Sequence, residues 1–177
     1  FHTDPVGLLL SHRADWAIVS DVEQNDDVLF KPLFSYEMVG ICSKDHPLAN
    51  KDVWQAEDFA EETWVTYPVP DDMLDLYRQV LKPKGINPPR RTTELTIALI
   101  QLVASRRGIA TVPYWAALPY LEKGYVVARK ITEEGLYSNL YAAIRKEDAN
   151  LAYIEDFHQT VKAQSFSTLP GLSVLEL

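Results

Sequence analysis

Glu94 and Thr96 stand at the start of a strongly apolar run, residues 95–103, directly after a strand-like stretch at 90–93. A carboxylate and a hydroxyl at a helix start lie beside N–H groups that no helical carbonyl takes up. Together they could bind an amino acid, with Glu94 pairing to its ammonium while Thr96 and the N–H groups hold its carboxylate. Ordinary capping and dipole complementarity use the same residue types. Tyr67 and Val69 flank Pro68, and Tyr114 follows Pro113, at two further places where a strand gives way to a helix. Their side chains would either wall a ligand or belong to the core. Phe1 and Thr3 adjoin the helix-start sequence Asp4-Pro5, and Ser20 with Asp21 closes another apolar run. Ligands of open α/β sheets collect beyond the carboxyl ends of strands. Phe1, Thr3, Ser20, Tyr67, Val69, Glu94, Thr96 and Tyr114 are therefore the expected binding residues.

Catalysis finds little support. The chain has no nucleophile elbow, no phosphate-binding glycine loop and no dinucleotide fingerprint, and only 7 glycines in all. His2, His12, His46 and His158 show no paired metal-ligand spacing and read as structural histidines with satisfied ring nitrogens. The carboxylate pairs Asp26-Asp27, Glu61-Glu62, Asp71-Asp72 and Glu133-Glu134 are adjacent in sequence, which suits solvation and capping rather than one shared substrate atom. Cys42, the single cysteine, excludes an internal disulfide and a cysteine zinc cluster, and reads as a buried strand residue. No catalytic residue, metal site or cofactor is expected.

The elements that must position these residues follow from pattern. With 177 residues, 47% apolar and 24% charged, the chain has globular composition. It has no apolar run long enough to span a bilayer and no signal-peptide pattern, so a cytoplasmic location is expected. A net charge of −8 argues against gripping a phosphate backbone, and the basic pairs Arg90-Arg91 and Arg106-Arg107 read as solvated edges. A short helix is expected over 5–10, ending near His12, then a strand at 16–19 covered on both faces. Two strand-like stretches follow at 28–34 and 37–43, a short helix in 53–60, and a strand at 63–67. A regular helix should carry Met73, Leu74, Tyr77, Val80 and Leu81. The apolar run at 94–107 reads as a helix buried on more than one face, stopped by Gly108. A strand at 109–112, a helix at 114–123 closed by Gly124, and strands at 125–130 and 136–145 come next. The last helix should be capped by Asn150 and dock through Leu151, Ile154, Phe157, His158 and Val161. Strands alternating with helices indicate an α/β fold with largely parallel sheets.

The string TELTIALIQLVASRRGIATVP, residues 93–113, resembles the second hinge region of LysR-type transcriptional regulators. Residues 15–19 resemble the family's first hinge strand, the run Lys44-Asp45-His46-Pro47-Leu48-Ala49 its turn after the crossover strands, and 55–60 its short helix. Within the family, Tyr67-Pro68-Val69, Leu99-Ile100-Gln101, Pro113-Tyr114-Trp115, Glu134-Gly135-Leu136-Tyr137 and Leu140-Tyr141-Ala142-Ala143 are similar to the regulators of methionine biosynthesis.

The resemblance implies a two-lobed effector domain of the type II periplasmic-binding-protein-like kind, with an N-terminal strand and helix preceding Phe1. Lobe I would comprise residues 1–21 and 114–177, lobe II residues 22–113, and the hinge strands would lie near 16–21 and 109–113. It implies homocysteine as coregulator, self-association as a dimer or tetramer, and promoter DNA as a partner only through a separate winged helix-turn-helix. Where the family has a glycine after its second helix, His12 stands here. A solute-binding receptor of the same two-lobed fold would give nearly the same element order. An enzyme of the α/β class is the third possibility, disfavoured by the empty catalytic search.

Overall fold

Asp4 and Pro5 set the first element. In the computed structural model, which describes residues 4–175, helix α1 (Pro5–Leu10) begins at Asp4, whose carboxylate accepts from the Gly7 N–H at 2.7 Å. Proline occupies its first turn, where a missing N–H does no harm. The helix ends at Ser11, and His12 takes φ 55°, the left-handed conformation for which glycine is the usual residue. Phe1 and Thr3 lie outside the described residues.

Beyond α1 the chain runs through β1 (Ala17–Val19), β2 (Val28–Cys42), β3 (Val53–Trp54), β4 (Trp64–Thr66), β5 (Arg90–Thr92), α2 (Thr96–Ala104), β6 (Ile109–Pro113), α3 (Tyr114–Glu122), β7 (Val127–Ile131), β8 (Leu136–Arg145), α4 (Ala152–Thr168) and β9 (Leu172–Ser173). It divides into two compact units, Phe1–Tyr36 with Ser138–Leu177, and Glu37–Tyr137. The divisions fall inside β2 and β8, whereas the sequence placed joints near residue 21 and at Pro113. The polar stretch before Val28 resembles a linker, yet it leads into one unbroken strand that passes through Pro32 and serves both units.

In the first unit β1 pairs antiparallel with β8 (Ala17 opposite Ala143), β8 neighbours β2, and β9 pairs with β2 at Ser35 and Tyr36. Leu9, Val19, Val28 and Ala143 form its buried centre. Arg145, with only 7% of its side chain exposed, ties the segment after α1 to β8. Its guanidinium donates to Leu9 O at 2.9 Å, Ala14 O at 2.5 Å, Asp15 Oδ1 at 2.7 Å and Asp148 Oδ2 at 2.5 Å. The expectation that β1 is covered on both faces fails, because Ile18 is 51% exposed on a three-residue strand. On α4 only Ile154 and His158 of the expected stripe are buried, while Phe157 meets the Trp16 ring edge-on at 5.2 Å. Leu151, not Asn150, is the N-cap.

The second unit contains a parallel set, β5-β4-β6, with Trp64 opposite Arg90 and Ile109, and Val65 opposite Arg91 and Ala110. The end of β2 runs antiparallel to β6 (Val39 opposite Val112) and to β7 (Gly40 opposite Arg129), and β3 pairs parallel with β7. The fold is thus mixed α/β rather than largely parallel. An apolar run looks the same whichever way its neighbour points, so direction was not available from composition. Alternation along each strand splits the core in two. Trp64 and Ile109 face a cluster with Trp54, Phe59, Leu76 and Leu81, while Val65 and Ala110 face Leu99, Ile100 and Val103 of α2.

Two local expectations also change. Residues 71–81 form a 3-10 turn (Asp71–Met73) and then a π turn (Tyr77–Leu81), not one regular helix. Gly108 does not stop α2: the helix ends at Ala104 and Arg106 takes the left-handed turn at φ 59°. Gly108 is needed instead where β6 enters, because a Cβ there would lie 2.3 Å from Thr63 O.

Candidate functional site

Because β5, β4 and β6 run parallel, their carboxyl ends share one edge of the second unit. Beyond β4 the chain continues as 67–70, beyond β5 as 93–95 into α2, and beyond β6 directly into α3. The Thr93 N–H donates to Thr66 O at 3.0 Å, which keeps β5 beside β4 up to the exit. The Tyr67 hydroxyl and Thr96 Oγ1 are 2.7 Å apart, a hydrogen bond joining the end of β4 to the first residue of α2. Tyr67 and Tyr114 both pack against the cluster of Leu99, Ile100 and Val112. Val69, half-buried, donates its N–H to Tyr67 O at 2.9 Å.

Tyr67, Val69, Glu94, Thr96 and Tyr114 thus belong to the exits of this parallel set. Ser20 belongs to the first unit, exposed, with its hydroxyl 3.4 Å from Asp21 Oδ2.

Neither Glu94 nor Thr96 forms a side-chain cap, although an exposed carboxylate at this helix start still complements the dipole. Leu95 is the N-cap of α2, and no side chain caps that helix. Glu94 is exposed and makes no ion pair or hydrogen bond among the described residues, while the Thr96 hydroxyl turns to Tyr67. Helix α3 also starts without a side-chain cap, at Pro113. Two helix N-termini with their positive dipole ends therefore face this edge, and they favour an anionic group there. Nor is α2 buried on every side: Leu99, Ile100 and Val103 are enclosed, but Leu95 and Ile97 are 63% and 55% exposed.

Sequence reasoning missed Arg90. It is exposed at the edge, as expected, but its guanidinium carbon also lies 5.2 Å from the centroid of the Trp64 ring and it forms an ion pair with Asp71. Asp72 pairs with Lys82 at 2.7 Å, and Glu62 meets His46 Nε2 at 3.2 Å. Members of the acidic pairs are thus partly engaged with side-chain partners rather than simply solvated. Nothing local marks the Arg90–Asp71 contact, since the partners are 19 residues apart and meet only through the β4–β5 pairing.

His46 accepts from the Leu48 N–H at Nδ1, as a structural histidine should. His158 does not fit that expectation: it is buried, and its Nδ1 has no partner among the described residues. Burial, then Lys31, push its pKa below 6.5. Cys42 is fully buried, and burial pushes its thiol up to about 11. A hollow of about 200 Å³ in the first unit is lined by Leu10, His12, Asp27, Arg145, Lys146 and Glu147. Its one buried cation, Arg145, is already committed to four protein acceptors. Among the described residues no group of three or more His, Cys, Asp or Glu is placed to hold a metal ion.

Residues 2–165 match the family profile of the LysR substrate binding domain. The chain is 85% identical over 177 residues to the HTH-type transcriptional regulator MetR of Haemophilus influenzae, covering 100% of this chain and 57% of that protein. It is 36% identical over 167 residues to MetR of Salmonella typhimurium, covering 94% of this chain and 52% of the relative. The chain therefore spans a little over half the length of these curated relatives. Among solved structures, the regulatory domain of MetR, a LysR family regulator from N. meningitidis, superposes with a TM-score of 0.92 at 65% identity, covering 98% of this chain and 81% of that one. The effector binding domain of QuiR in complex with shikimate shares the fold, with a TM-score of 0.74 at 24% identity over 90% of this chain and 77% of its own.

Proposed function

The chain belongs to the LysR-type regulators as a substrate-binding domain of the MetR type, with a type II periplasmic-binding-protein-like fold, and from this premise we propose that it senses homocysteine for a transcription regulator of methionine biosynthesis. Its curated relatives are transcription regulators, and no residue is assigned a catalytic role.

The observation that carries the reading is the Tyr67–Thr96 hydrogen bond at the uncapped start of α2. An amino acid with a short thiol tail needs three things from a site. Its carboxylate needs N–H donors and a hydroxyl, offered by the starts of α2 and α3 and by Thr96. Its ammonium needs an uncommitted carboxylate, which is Glu94. Its tail needs an apolar wall, for which Tyr67, Val69 and Tyr114 serve.

Signalling requires that the effector bind two conformations unequally, since a ligand shifts an equilibrium only by its differential affinity. The net charge of −8 suits a domain that leaves DNA to another part of the protein. We assign promoter contact to an N-terminal winged helix-turn-helix outside this chain, with self-association as a dimer or tetramer and a cytoplasmic location. Calorimetry of the full-length protein with homocysteine, methionine and homoserine tests the ligand. Homocysteine should bind most tightly; equal binding of all three, or none, ends the claim.

A further inference from the structure

We propose that Arg90 is a positioning residue that holds the 67–73 loop in the shape needed for effector binding. The inference rests on the β4–β5–β6 edge being the effector site. It adds a residue that touches no ligand.

The loop is fixed at both ends. At its start, Tyr67 follows directly from β4 and its hydroxyl is bonded to Thr96. Pro68 and Pro70 lock their own φ angles and restrict Tyr67 and Val69 before them. The turn is closed by Val69 N–H to Tyr67 O at 2.9 Å, Met73 N–H to Pro70 O at 3.0 Å and Leu74 N–H to Asp71 O at 3.0 Å. At its far end Asp71 is held by Arg90.

Arg90 is itself anchored. It stands opposite Trp64 in the β4–β5 register, and its guanidinium lies over that buried ring. A planar guanidinium can stack on an indole and pair with a carboxylate at once; an ammonium cannot do both in the same way. Asp72 with Lys82 is a second tie, but both partners are more than half exposed and solvent weakens it. Arg90 is thus the contact through which the core, by way of Trp64, sets the position of the segment carrying Tyr67 and Val69.

The apparent affinity of a site falls by the fraction of time its loop is competent. Loosening the far end should therefore weaken binding without removing a ligand contact. The test uses full-length protein with Arg90→Gln, Asp71→Asn, both together, and Arg90→Lys. Two measurements are made: hydrogen exchange at the Val69, Met73 and Leu74 amides without effector, and the homocysteine Kd by calorimetry.

Each single variant should speed exchange at those amides and raise Kd, both by roughly threefold to tenfold. The double variant should be no worse than the worse single one, and Arg90→Lys should recover part of the loss. Unchanged exchange and Kd in folded variants, or additive effects of the two substitutions, would overturn the proposal. A merely structural role would lower Tm and leave the Kd of the folded protein where it was. If Arg90→Gln fails to fold, Asp71→Asn, at a half-exposed carboxylate, makes the same decision. If the wild-type protein does not bind homocysteine, the ligand reading falls and the exchange rates alone decide whether Arg90 holds the loop.

Discussion

Replacing Tyr67 with phenylalanine removes one oxygen, the one 2.7 Å from Thr96 Oγ1. A neutral hydrogen bond between half-buried groups contributes about 1 kcal/mol net, a factor of about five in an equilibrium. A hydroxyl has one donor and two acceptor sites. Thr96 can accept from Tyr67 and still donate to a ligand carboxylate, so Tyr67 would act by fixing the direction of the Thr96 proton. Tyr67→Phe should therefore raise the homocysteine Kd by about twofold to fivefold. Thr96→Val, which removes the donor to a charged group, should raise it by about tenfold to a hundredfold, corresponding to about 1.5–3 kcal/mol for a charge-assisted bond. Calorimetry on the wild type, the two single variants and the double variant closes the cycle. The double variant should match Thr96→Val alone, because Tyr67 works through Thr96. Strictly additive losses would mean that the two residues act independently and would refute this coupling. A Thr96→Val protein with wild-type affinity would remove the edge as the site.

Three further outcomes follow from packing and charge. Gly40→Ala would place a Cβ 2.4 Å from Cε3 of Trp54, a fully buried ring whose Nε1 already donates to Leu48 O at 3.0 Å. Overpacking of this kind costs roughly 1–3 kcal/mol, and a chain of this size loses about 2–4 °C of Tm per kcal/mol, so an unchanged Tm in thermal unfolding would contradict the packing. Arg145→Met would leave Ala14 O and the Asp148 carboxylate without their donor, while Leu9 O keeps the His12 N–H, and should destabilise the protein by about 3–5 kcal/mol, read from the urea midpoint at constant slope. Buried His158 has its folded pKa lowered by desolvation and by Lys31 and Lys162, against the opposing Glu155. Its neutral form is the one the fold favours, so its contribution to stability is intact above the ordinary value of 6.5 and is lost as pH falls through the folded pKa. His158→Leu should flatten the fall in Tm on acidification below that value, and an unaltered pH profile would show that His158 does not drive it.

The elements written in local chemistry were legible. Asp4 and Pro5 define the start of α1, and Gly124, at φ 67°, follows α3. Features set by distant partners were not. Ser35 and Tyr36 stand between two expected strands, yet β2 passes through them because its neighbours are supplied from far along the chain. Asn150 has the chemistry of a cap but is not one, since α4 starts at Ala152 and the N-cap falls a residue later, on Leu151. Arg90 is exposed, as its sequence suggests, but its place opposite Trp64 comes only from the β4–β5 register.

The proposed binding residues fall between these cases, and α2 shows why. Strand exits carry Pro, Thr and Glu for reasons of turn and helix chemistry, so Tyr67, Glu94, Thr96 and Tyr114 could be found by position alone. What sequence could not reveal is how Glu94 and Thr96 are used. A helix start without a side-chain cap forgoes about 1 kcal/mol. Here Leu95 holds the N-cap position, so Glu94 before it and Thr96 after it stand off the position from which a side chain caps: Glu94 is exposed, and Thr96 bonds to Tyr67. The first N–H groups of α2 are thereby left without a side-chain acceptor, beside a carboxylate with no cation among the described residues. We propose that an amino-acid ligand completes both halves at once, its carboxylate on the N–H groups and its ammonium on Glu94.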